Sequence, residues 1–223
     1  MKLEDIGNFI LIENNLVHID FELNREQPSY FRIAKEAHHA LYRSMVEALR
    51  GTANISITGR RDKDRIYKYK LGNNPWMEIR KTNVAGCKSA WRFSEPIQCD
   101  EPQIQNESIE KSAHDDFLIG FFDALAMIQT ECFMSKYVHS RPLNVHDNEI
   151  AILEWLHEDI RNEFEHFVPK LYTAAVSDLS QASVLCLRLI QELLFESGNV
   201  IHHSSPDGLK NLIREVSSKL GSS

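Results

Sequence analysis

The chain has 223 residues, 43% of them hydrophobic and 26% charged, with a formal net charge of -7. That is long enough for one well-developed core, read here as a single domain over 1–223, and no run approaches the ~20 apolar residues of a membrane span. The opening MKLEDIGNFILIENN is acidic early and lacks a small-residue cleavage site, which argues against a secretory signal. Cys87, Cys99, Cys132 and Cys186 are scattered with no Cys-x-x-Cys pair, so neither a zinc site nor a disulfide framework is expected, and a reducing cytoplasm fits.

The first substantial helix is predicted over 28–51, entered by Pro28 and left by Gly51. Its apolar stripe is Tyr30, Ala34, Ala37, Leu41, Met45 and Ala48. From 52 to about 105 the pattern changes to β-branched and aromatic residues punctuated by GR, GNNP and AG turns. That reads as a small β-meander inserted in a helical domain. DEPQIQNES, 100–108, is a polar connector. The stretch 112–137 is apolar all round and is predicted to be the central helix. Helices follow over 146–167 and 177–198, the latter again closing on glycine, with a short one over about 207–219. The expected fold is mainly α, an up-and-down bundle of four to five helices with the β-meander insertion.

Two Glu-x-x-His pairs, Glu36/His39 and Glu163/His166, invite a di-iron carboxylate site. Such a site needs both pairs to point into the core. Projection of the first helix sets His39 with Arg32, Lys35 and Arg43, and Glu36 beside it, on the side away from the apolar stripe. No metal and no cofactor are therefore expected. The doublets His38-His39 and His202-His203 are read as incidental.

On the 146–167 helix, Leu153, Leu156, Ile160, Phe164 and Phe167 form a buried stripe, whereas Asn162 and His166 are four apart on another face. Trp155 lies on that second face too, which suggests that a second subunit or the β insertion covers it. These groups suit metal-free RNA cleavage. Histidine can take the 2′-hydroxyl proton or protonate the leaving 5′ oxygen near neutral pH. A guanidinium at Arg161 offers bidentate charge to the phosphorane, and Asn162 can orient the imidazole or hold the phosphate. The Arg161 to Glu165 spacing also permits an ordinary surface ion pair.

The stretch RNEFEH, Arg161 to His166, resembles the Arg-x4-6-His motif of HEPN-domain proteins, in which a polar residue, often Asn, follows the arginine. The resemblance covers about 110–200 plus the first helix, and leaves 52–105 unmatched. It implies a metal-independent endoribonuclease whose active site forms between two HEPN domains, with Arg161, Asn162 and His166 carrying it. It implies a homodimer acting on RNA, in a prokaryotic toxin or phage-defence setting, with an antitoxin or other inhibitory partner. One branch of the family has a tyrosine two residues after the histidine, modified by a partner nucleotidyltransferase; Val168 stands there, so that mode of neutralisation is not carried over. Because some members keep the bundle without cleavage, the alternative is a non-catalytic dimer binding nucleotide, RNA or a protein.

Between Arg60 and Arg92 ten Lys or Arg stand against three acidic residues, a local excess of seven positive charges within an acidic chain. Arg60, Arg61, Lys68 and Lys70 are the candidate phosphate contacts, with Tyr67 and Tyr69 to stack on bases. The same charges also fit a merely solubilised hairpin.

Overall fold

The computed structural model describes residues 7–50, 117–135, 137–162, 173–202 and 205–221, and short backbone stretches at 58–61, 67–69, 77–82 and 90–92. Within them the chain is mainly helical and forms a helical bundle, and no helix is long and apolar enough to cross a membrane.

Helix α1 (Asn8–Leu23) is an element that the sequence pattern does not announce. Its inward positions are Ile12, Asn15, Leu16, Ile19 and Glu22, at helical spacing, but two of the five are polar. Helix α2 (Tyr30–Arg50) matches the predicted one. Ala34, Ala37, Leu41, Met45 and Ala48 are fully buried as expected, and Tyr30 is half-buried at the margin. Ile33, Ala40 and Leu49 are buried as well, so the covered face is wider than one stripe. The reason is α1, which packs along α2 on a side that the apolar pattern alone would leave to water. At the joint, the Glu22 carboxylate accepts the Ser29 backbone N–H at 2.8 Å and two bonds from Arg25 at 2.9 and 3.0 Å. The Ser29 bond, followed by Arg25 and Arg32, holds this carboxyl below the usual glutamate range.

Of the 52–105 stretch, the described part is strand backbone: β1 (Thr58–Arg61), β2 (Tyr67–Tyr69), β3 (Met77–Thr82) and β4 (Ala90–Arg92). These pair antiparallel in the order β4-β3-β2-β1, and β5 (Phe117–Leu118) pairs with β1. These short stretches do not amount to the β-meander insertion expected over 52–105, and the rest of that stretch lies outside the described residues.

The continuous helix expected over 112–137 is corrected. Residues 112–116 lie outside the described part, and Phe117–Leu118 are strand. Helix α3 (Phe121–Ile128) starts only after Gly120, and α4 (Glu131–Met134) is a separate turn. The break has a local cause: the Gln129 side chain donates to the Leu125 carbonyl at 2.8 Å and Thr130 Oγ1 to the Ala126 carbonyl at 2.9 Å. Side-chain donors on the last carbonyls compete with a further helical turn. The central position does hold, because every residue of α3 is buried.

Helix α5 (Asp147–Trp155) opens with the Glu149 carboxylate accepting the His146 backbone N–H at 3.0 Å, and it runs on as a π-helical segment over Leu156–Arg161. Helix α6 (Val176–Gln191) also ends in a π-helical segment, Glu192–Glu196. Helix α7 (Asp207–Gly221) lies against α6 and α1, tied to α1 by Lys219 Nζ to Asp20 Oδ1 at 2.5 Å. Cys186 is buried on α6, where burial pushes its thiol up and keeps it protonated.

Gly198, just past α6, has φ +70°. A Cβ there would also sit 2.7 Å from the His139 carbonyl oxygen, with Ser140 close behind. The same segment clamps the helix end, since Arg141 N–H donates to Ser197 O and Ser140 Oγ to Gly198 O, both at 2.9 Å. Gly198→Ala should therefore cost at least about 2 kcal/mol, from the left-handed backbone and the backbone clash together. In thermal melts that corresponds to a Tm lower by about 4 °C or more, and an unchanged Tm would contradict it.

Candidate active site

Arg161 ends the π-helical segment of α5 and Asn162 follows it, both half-buried. Arg161 Nη1 donates to Asn162 Oδ1 at 2.9 Å, so the two predicted neighbours are joined directly. Leu153, Leu156 and Ile160 are fully buried, as the stripe predicts. His166 lies outside the described residues, together with Glu163, Phe164, Glu165, Phe167 and Val168. Trp155 is half-buried against the core and lines a shallow groove with Asp178 and Gln181 of α6, so part of its cover comes from its own chain.

The projection that set Glu36 and His39 in solvent is also corrected, and α1 is again the cause. Both residues are half-buried. The Glu36 carboxylate accepts a hydrogen bond from Asn15 of α1, whose own Oδ1 accepts one from Arg43. Among the described residues no group of three His, Cys, Asp or Glu is placed to hold a metal ion.

The π-helical segment packs on α2, and there it makes a contact that the sequence reading passed over. His38 is 1% exposed, and its Nε2 lies 2.9 Å from His157 Nδ1. Both imidazoles stack on Phe121, at centroid distances of 4.4 and 4.8 Å. Among the described residues His38 Nδ1 is buried without a hydrogen-bond partner. A buried lone pair left unmatched costs less than a buried N–H left unmatched, which assigns the His38 proton to Nε2 and makes His157 Nδ1 the acceptor. Burial, with His157, His39 and Arg161 nearby, holds the His38 imidazole well below the usual histidine range, so it is neutral at pH 7. His38 is thus a buried neutral imidazole at hydrogen-bond distance from His157.

His39, one residue on, faces another way. With Tyr42, Arg43, Val46, Leu118 and Arg161 it lines an open cavity of about 310 Å3 between α2 and the end of α5. The Tyr42 hydroxyl donates to the Ile119 carbonyl, which fixes its ring.

The signal for His38 was present in the pattern. It lies four residues after Ala34 and three before Leu41, on the buried stripe itself. His157 stands likewise four after Leu153 and three before Ile160. A histidine on an apolar stripe at both ends of a helix contact marks a partly buried pair.

For the basic stretch the description is of backbone register. Arg60 is paired with Lys68 and Arg61 with Tyr67 across β1 and β2. Lys70 lies outside the described residues. Arg60 and Lys68 are therefore cross-strand partners in backbone register. No protein-family model matches the chain, and no curated protein or solved structure matches it.

Proposed function

We propose that this chain is a metal-independent endoribonuclease of the HEPN type, working as a homodimer in the cytoplasm of a prokaryote, in a toxin or phage-defence setting. The observation that carries the reading is the 2.9 Å bond from Arg161 to Asn162 at the half-buried end of α5. An amide oxygen orients a guanidinium without cancelling its charge, which is what a developing phosphorane requires.

In this reading the 2′-oxygen attacks phosphorus as one imidazole takes its proton. The P–O5′ bond breaks, a second imidazole protonates the departing 5′ oxygen, and a 2′,3′-cyclic phosphate remains. His166 supplies one imidazole from each protomer, so that a symmetric dimer brings both acid and base. Arg161 faces the phosphate and Asn162 holds Arg161. The 52–105 stretch is a small β-meander insertion that captures substrate, with Arg60, Arg61, Lys68 and Lys70 on phosphates and Tyr67 and Tyr69 on bases. An antitoxin or other inhibitory partner keeps the activity in check.

The test is incubation of the purified protein with RNA in EDTA. Wild type should cut the RNA, leaving cyclic phosphate ends, and His166→Ala should lower the rate by about 100-fold or more. Intact RNA with wild type, or equal cleavage by both, overturns the proposal. RNA binding without cleavage by either form would point to a non-catalytic dimer instead.

A further inference from the structure

His157 is the second residue of the six-residue π-helical segment that ends α5, and Arg161 is the last. A π turn takes in one residue more than an α turn, so whatever follows it is displaced by about 1.5 Å and about 100° from uninterrupted α-helix. In α register the same residues would aim Arg161 and Asn162 in another direction. Such segments are rare, because the backbone gains nothing from them unaided. What packs on this one holds it. Leu156 and Ile160 are fully buried, and the His157 ring sits near-parallel to Phe121 at 4.8 Å and edge-on to Phe122 at 4.9 Å. Apolar and ring contacts are tolerant of direction, whereas a hydrogen bond fixes both distance and angle. The directional contact is the 2.9 Å bond from His38 to His157. His38 is itself held firmly on α2, 1% exposed between the fully buried Ala34 and Leu41 and stacked on Phe121.

We propose that His38 is a positioning residue: through its hydrogen bond to His157 it holds the end of α5 in π register and so aims the Arg161–Asn162 pair at the substrate phosphate. It touches no substrate itself. The segment decides where the Arg161 backbone stands, whatever its side chain meets. A shift of one residue would carry the guanidinium away from the phosphate, and misplacement on the scale of 1 Å costs a catalytic site about 100-fold. The proposal rests on the reading above in giving Arg161 a phosphate to meet. The hold on the register needs no RNA.

The experiment compares wild type, His38→Phe and His38→Gln in the full-length protein. Phenylalanine keeps a flat ring on Phe121 and loses the donor, whereas glutamine can place an amide N–H where Nε2 stands. Native-state hydrogen exchange is read without RNA. In His38→Phe the amides of 156–162 should exchange about tenfold faster or more, relative to any change in those of α6, and His38→Gln should recover part of the protection. In the RNA assay in EDTA, at a temperature where melts show each variant folded, His38→Phe should lower kcat by about 10- to 100-fold with KM little changed. His38→Gln should restore part of that rate. If His38→Phe does not fold, His157→Phe, which removes the acceptor and keeps a ring beside Phe121, carries the test. A merely structural histidine would give exchange that rises equally across the bundle, an unchanged kcat in the folded variants, or no recovery with glutamine, and each of these overturns the proposal. RNA left intact by wild type would overturn the ribonuclease and the aim at a phosphate, while the exchange pattern still decides the register. Cleavage by wild type, with exchange in His38→Phe no faster at 156–162 than elsewhere, would overturn the positioning role and leave the ribonuclease standing.

Discussion

Arg161→Ala is expected to slow RNA cleavage by about 100- to 1,000-fold, the scale of losing one preorganised donor to an oxyanion. The loss should fall mainly on kcat, because the guanidinium is asked to meet charge that develops only in the transition state. Arg161→Lys keeps the charge and loses the planar fork, so its rate should lie between wild type and alanine. The 2.9 Å bond to Asn162 gives a further handle. Asn162→Ala leaves Arg161 charged but unfastened, and should cost less than Arg161→Ala. Asn162→Asp keeps an acceptor in place and adds a carboxylate that competes for the guanidinium, so it should be slower than Asn162→Ala. A purely structural bond would give a different order: the aspartate variant would be the milder of the two, with a melting curve near that of wild type. Steady-state rates on one RNA, with melts of each variant, decide between these outcomes. Equal rates for wild type and Arg161→Ala would remove Arg161 from the chemistry.

How much of this architecture was legible depended on which helix face carried the information. Ala34, Ala37, Leu41 and Met45 are apolar at helical spacing, and α2 lies where they place it. Leu153, Leu156 and Ile160 did the same for α5. Helix α1 was not legible, because Asn15 and Glu22 sit among its inward positions and blur the stripe. That one omission propagated: without α1, Glu36, His39 and Arg43 looked like a solvated face, whereas Asn15 ties two of them to the core side. The break after Ile128 was hidden for another reason. Helical periodicity is blind to side chains that turn back on the last carbonyls, as Gln129 and Thr130 do. At the candidate site Arg161 and Asn162 are adjacent in sequence and bonded in space, a bond the sequence reading did not foresee, and His166 lies outside the described residues. The partnership of His38 with His157 spans 119 positions, and no spacing rule reports a contact that long. The sequence reading took the His38-His39 doublet as incidental, whereas His38 is buried and His157 half-buried.

Replacing His38 should change how stability depends on pH, and the direction follows from its environment. In the folded chain the imidazole is buried against Phe121 and held neutral, well below the usual histidine range, by burial first and then by His157, His39 and Arg161. In the unfolded chain it titrates near pH 6.5. Below that value the unfolded state binds a proton that the folded state refuses. Stability from this group is therefore complete above about pH 6.5, and it falls as the pH drops toward the lower folded value. The slope of the fall approaches about 1.4 kcal/mol per pH unit for one proton. His38→Phe keeps a flat ring on Phe121 and removes the titration, so its stability should depend less steeply on pH between 5 and 6.5 than that of wild type. At pH 7.5 the same variant should be the weaker protein, because the bond to His157 is gone, by about 1 kcal/mol. His38→Ala, which also opens a cavity, should lose about 3 kcal/mol at that pH. Urea melts at pH 5.5, 6.5 and 7.5 measure all three. The difference between wild type and His38→Phe reports the loss of this imidazole together with the loss of its contact to His157. Parallel pH profiles would mean that His38 takes up a proton in the fold, and its reading as a buried neutral imidazole would have to be abandoned. A profile that flattens as expected, together with an imidazole nitrogen shift of a protonated Nε2 on His38, places the His38 proton toward His157.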